Sequence, residues 1–160
     1  MELKPLAVSE KSDLTPGDYR ALGAFRYQIR RFLHFSEAAA QAEGIEPQQH
    51  QLLLAVRALD GQDCPTVRMI ADHLLIRHHS AVGLIDRMAG RGMVERLPGE
   101  TDRRQVRIRL TTEGETVLQR LSRVHREELR SSGPLLVEAL SALVARAPVS
   151  SAQGKECTNR

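Results

Sequence analysis

Residues 88–114 read MAGRGMVERLPGETDRRQVRIRLTTEG, and the fold is decided here. Just before and into this stretch, Ala81, Leu84, Ile85 and Met88 recur at helical spacing, in a helix that starts near Arg77. Gly90-Arg91-Gly92 ends it, because glycine takes the left-handed conformation that closes a helix. The apolar period then changes from about 3.6 to about 2. Met93-Val94-Glu95-Arg96-Leu97 reads as one strand. In Gln105-Val106-Arg107-Ile108-Arg109-Leu110, a second, Val106, Ile108 and Leu110 share one face, and Arg107 and Arg109 are expected on the polar outer face. Between the strands, 98–104 form a polar tip. Upstream, Thr66 caps a short helix with Val67, Ile70, Ala71 and Leu74 inside. Two short helices with a tight link, followed by a hairpin, make a winged helix-turn-helix.

Outward from this unit, Thr15-Pro16-Gly17-Asp18 starts a long helix running to about Glu43 and stopping at Gly44, with Leu22, Phe25, Ile29, Phe32 and Leu33 in one stripe. Pro47 opens another, with Leu52, Leu53, Val56 and Leu59 inward. Cys64-Pro65 is expected to form a short strand or bridge. Thr111 caps a fifth helix (Val117, Leu118, Leu121, Val124, Leu129), which Ser132-Gly133-Pro134 is expected to break. A sixth, about 134–147, carries Leu136, Leu140, Leu143 and Val144. The expected fold is mainly α (α+β): six helices and a two- to three-stranded β-wing. Residues 15–147 form one unit, with 46–110 the winged helix and 15–44 and 111–147 helical arms. The apolar arms from both chain ends exceed what one small domain covers, so they imply a homodimer. Residues 148–160 read as a flexible tail.

Composition narrows the function. The 160 residues carry 41% hydrophobic and 27% charged residues, which excludes wholesale disorder. No apolar run approaches the roughly 20 residues of a membrane span, and the N-terminus lacks a secretory apolar block. With only Cys64 and Cys157, the expected compartment is the reducing cytoplasm. Net charge is +3, but residues 66–110 hold nine Arg and no Lys against five acids. That local surplus suits a polyanionic partner, and Arg suits phosphate and guanine edges. There is no Gly-rich phosphate loop, no nucleophile elbow and no His-Glu-x-x-His, so no catalytic site, cofactor or metal site is expected.

The quoted stretch resembles the signature of MarR-type transcriptional regulators. Met88, Gly92, Met93, Val94, Arg96, Asp102, Arg103, Arg104, Leu110, Thr111 and Gly114 follow its order, and residues 70–74 and 84–87 match its preceding helices. The resemblance spans 15–147. It implies a homodimeric winged-helix regulator of double-stranded DNA, usually a repressor relieved by a small aromatic anion or an oxidant. It places base reading on Arg77, His78, His79 and Ser80, and the wing contact on Asp102, Arg103 and Arg104, the Asp orienting an Arg. Two-fold symmetry then implies a pseudo-palindromic operator with half-sites about 10 bp apart.

The chain departs from the pattern at Leu75, where the turn often has Gly, and at Gly83, where relatives carry a polar reader. Gly83 costs the helix about 1 kcal/mol against Ala, so close backbone approach to DNA or to a neighbour is expected there. Arg87 is placed equally against a local carboxylate or a phosphate, and Arg68 at the surface. Arg26, Arg30, His34 and His50 are the candidate lining of an effector pocket for a small anionic or aromatic ligand. Cys64 reads as structural. Two rival functions remain: a metal- or redox-responsive regulator on the same scaffold (His34 and His125 could then be close), or a winged-helix protein-interaction module without DNA binding.

Overall fold

The structure, a computed structural model, describes residues 14–61, 64–99 and 105–145. The order is α1 (Pro16–Ala42), α2 (Pro47–Ala58), α3 (Val67–His73), α4 (His78–Gly90), β1 (Val94–Pro98), β2 (Val106–Leu110) and α5 (Thr112–Val144). The tail at 148–160 lies outside the described residues. Among the described residues no helix is long and apolar enough to cross a membrane.

Local chemistry sets the boundaries. The Thr15 hydroxyl accepts from the Asp18 amide while the Asp18 carboxylate accepts from the Thr15 amide at 2.8 Å, so the expected capping box starts α1. Thr66 and Thr111 cap α3 and α5 through the Met69 and Gly114 amides. α1, α3 and α4 end alike: the residue after the cap turns left-handed and two amides reach back into the last turn. At α1 the Gly44 and Ile45 amides bond the carbonyls of Gln41 and Ala40; at α4 Gly92 and Met93 bond those of Ala89 and Met88. At α3 the left-handed residue is Leu75, φ +55°, its side chain 76% exposed. A leucine gains nothing there from burial and is strained by about 1 kcal/mol. Leu75→Gly is therefore expected to raise stability by about 1 kcal/mol in urea unfolding; an unchanged or lower midpoint would contradict this.

The core lies where α2, α3, α4, the hairpin and the first half of α5 meet. Leu52, Leu53, Ile70, Leu84, Ile85, Met88, Ile108 and Leu121 are almost fully buried. Each was expected inward from its spacing. The strands pair antiparallel, Val94 opposite Leu110 through Pro98 opposite Val106, and Glu95 faces Arg109 with their ion pair at 2.9 Å. The third strand amounts to one bridge, Thr66 with Arg107, plus an Ile108 amide bond to the Pro65 carbonyl at 2.9 Å.

Two expectations are corrected. Arg107 is half-buried rather than on a solvated outer face: the 64–66 segment covers that edge, and Arg107 Nη1 donates to the Cys64 carbonyl at 2.7 Å. The fifth and sixth helices are one, so the described residues form five helices rather than six. α5 runs 33 residues through Ser132-Gly133-Pro134. Proline removes one amide donor, but long helical runs on both sides outweigh a single missing bond, and the Ser132 hydroxyl donates to the Glu128 carbonyl in that turn at 2.9 Å.

The arms behave differently from the core. α1 packs along α5, yet Leu22 and Leu33 of its stripe remain exposed and Phe25, Ile29 and Phe32 are only half-buried. On the last turns of α5, Val137 and Val144 are 63% and 69% exposed.

Candidate nucleic-acid interface

The core of α4 is Ala81, Leu84, Ile85 and Met88. Helical geometry therefore turns His79, Gly83 and Asp86 to the opposite side. Arg77, His78, His79 and Ser80 are all exposed around its first turn. Arg77 stands at the N-cap with extended backbone and no side-chain cap, unlike the threonine-capped α1, α3 and α5. An uncapped helix N-terminus presents amide donors and partial positive charge, which favours a phosphate.

At Gly83 a Cβ would meet only the Arg87 guanidinium, at 3.7 Å. Among the described residues no packing requires glycine there, so their crowding does not explain it. Among the described residues, Arg77 and Arg87 form no ion pair with a carboxylate. Asp86 is taken by Arg96 of β1 at 2.7 Å, a tie between α4 and the hairpin. An ion pair between α4 and a strand has no periodic signal in the sequence. The wing-tip candidates Asp102, Arg103 and Arg104 lie outside the described residues.

Between α3, α4 and the hairpin is a groove of about 570 Å³, lined by Thr66, Arg68, His78, Val82, Arg96 and Val106 among others. Arg68 is exposed as expected, 4.0 Å from Asp72, and edges this groove.

The four candidate effector residues are divided. Arg30 and His34 line an open pocket with Tyr27, Phe35 and Glu128. His50 lines another, about 490 Å³, with Phe32, Leu54, His125, Arg126, Leu129 and Arg130. Arg26 is exposed and lines neither. His125 meets His50, ring centroids 4.7 Å apart. The His125 Nδ1–H donates to the Leu121 carbonyl at 2.7 Å, since a carbonyl only accepts, and Nε2 shares a hydrogen bond with the buried Ser36 hydroxyl at 2.9 Å. His50 Nδ1 is buried without a hydrogen-bond partner among the described residues. Burial, and secondarily the charge of His125, push the His50 imidazole from 6.5 down to about 4. Among the described residues no three His, Cys, Asp or Glu side chains gather as a metal site. Cys64 is a half-buried free thiol.

Comparison with known proteins places this geometry. Residues 43–105, which span α2, the helix-turn-helix and β1, match the MarR family. No curated protein matches the sequence. Among solved structures, AbsC, a MarR family transcriptional regulator from Streptomyces coelicolor, is 20% identical over 76% of this chain and 82% of its own, TM-score 0.65. The transcriptional repressor CouR, bound to a 23-mer DNA duplex, is 26% identical over 84% of this chain and 100% of its own, TM-score 0.61. A mutant MarR from E. coli complexed with operator DNA is 21% identical over 84% of this chain and 98% of its own, TM-score 0.60.

Proposed function

We propose that this MarR-type winged-helix protein is a cytoplasmic, homodimeric transcriptional regulator that binds double-stranded DNA sequence-specifically and acts as a repressor released by a small anionic or aromatic effector. The observation that carries the reading is the first turn of α4: Arg77, His78, His79 and Ser80 exposed around an uncapped helix N-terminus, beside an Arg-rich hairpin. In each subunit α4 enters a major groove, where Arg and His donors meet base edges. Gly83 lets the backbone approach the duplex, Arg87 takes a phosphate, and Arg103 and Arg104, oriented by Asp102, grip the flanking groove. The bare apolar stripes on α1 and the end of α5 support the dimer, each arm covering its twin. Effector binding falls to the arm junction, with Arg30, His34 and His50 the contributing polar groups and Arg26 near the same arm.

The test is binding to the gene's own upstream region, read by fluorescence anisotropy across salt. Affinity is expected to fall by about 10³-fold or more from 50 to 200 mM salt, on a pseudo-palindrome occupied by two chains. Arg104→Ala should weaken binding to all duplexes. His79→Ala should change preference at one base pair by about 1–3 kcal/mol. Gly83→Ala should stabilise the fold by about 1 kcal/mol yet weaken operator binding. Salt-insensitive or absent binding would favour a protein-interaction module instead.

A further inference from the structure

One guanidinium ties the C-terminal end of α1 to the first turn of α2. Arg91 directly follows α4; its Nη2 donates to the Gly44 carbonyl at the end of α1, 2.8 Å away. Its Nη1 donates to Gln49 Oε1 in the first turn of α2, at 2.9 Å. α4 does not need this side chain to finish, because the Gly92 and Met93 amides already close its last turn. The guanidinium leaves its own helix and serves another. The carbonyl end of a helix carries partial negative charge, which a cation placed on it offsets. The acceptor is held firmly: Gln49 is 4% exposed, and its Oε1 also accepts from the Glu46 amide at 3.0 Å.

Other polar ties between reading unit and arms go elsewhere. Arg57 reaches Glu115 from α2 to α5 at 3.3 Å, and Thr111 bonds Gly92 and Met93 at the foot of the wing. Arg91 joins the reading helix to α1, the arm with the bare apolar stripe.

We propose that Arg91 is a positioning residue for DNA reading: it fixes α4 against α1 and so sets the separation of the two reading helices in the dimer. The proposal rests on the dimeric DNA-binding function given above. A guanidinium fork spans two fixed acceptors; a lysine ammonium keeps the charge at the end of α1 but not the paired geometry.

The experiment uses the full chain and an operator selected with it from random duplexes. Affinity is measured for that operator, for versions with one base pair added or removed between half-sites, and for random duplex. Wild type should prefer the selected spacing. Arg91→Ala should lose that preference by about tenfold, the scale of one charge-assisted hydrogen bond, with random-duplex affinity unchanged. Gln49→Ala should lose it partly, and Arg91→Lys should not restore it. Because a purely structural loss would lower all affinities together, the ratio between spacings is the deciding quantity. Spacing preference retained in Arg91→Ala would overturn the proposal; if that variant does not fold, preference retained in Arg91→Lys would do so. A wild type with no preferred duplex would remove the proposed function, and this inference with it, before any variant is made.

Discussion

Gly114→Ala is expected to cost about 3 kcal/mol or more of folding stability, read as the shift in urea midpoint at constant slope. A Cβ on Gly114 would overlap the backbone carbonyl of Met93. Overpacking against a side chain is relieved by a change of rotamer; this carbonyl has no such escape. It accepts from the Thr111 amide at 3.1 Å, the Thr111 hydroxyl donates to the Gly92 carbonyl at 2.6 Å, and the Gly114 amide donates back to that hydroxyl at 3.1 Å. Shifting one shifts all three, and with them the junction of β1, β2 and α5. Gly23→Ala is the control: none of the described residues lies within 4 Å of its added Cβ, so in mid-α1 it should stabilise by about 1 kcal/mol. A Gly114→Ala loss below about 1 kcal/mol would show that the junction yields easily.

The second large effect is on acid stability. In the unfolded chain His50 takes up a proton near pH 6.5; in the folded protein it resists until about pH 4. The unfolded state therefore binds more protons between those values. The contribution is whole above about pH 6.5, declines as pH falls, and is spent below about pH 4, a loss of about 3 kcal/mol. The cause is burial first, then the neighbouring His125; Arg126 and Arg130 line the same cavity and offer an imidazolium no anion. Carboxylates titrate in the same window, so the measurement is the difference between wild type and His50→Leu unfolding profiles from pH 7.5 to 4. Wild type should lose about 3 kcal/mol relative to the variant toward acid. Parallel profiles would mean that His50 takes up its proton equally in both states.

The winged helix was legible because its signals are local. The switch in apolar period at Gly92, the threonine caps and the α4 core spacing act within one or two turns, and the structure returns them nearly residue for residue. What was hidden depends on partners far apart in the chain. Ser36 and His125 are 89 residues apart and Arg91 and Gly44 are 47 apart; no spacing announces either. Arg107 alternates like any outer-face residue, and only the 64–66 segment crossing that edge buries it. Pro134 obeyed a sound local rule that was outvoted by helix on both sides. The candidate interface was legible in the same uneven way. The first turn of α4 is read straight from sequence, whereas the Asp86–Arg96 tie between α4 and wing comes only from the fold.

The unbroken α5 has a mechanical meaning. Thirty-three residues of helix make a rod about 50 Å long. It is footed at the wing by Thr111 and Gly114, with Val137 and Val144 bare toward its far end. A tilt of about 5° at the foot sweeps the far end through about 4 Å over that length. The same lever works in reverse: a push of a few ångströms at the tip arrives at the hairpin as a small, stiff rotation.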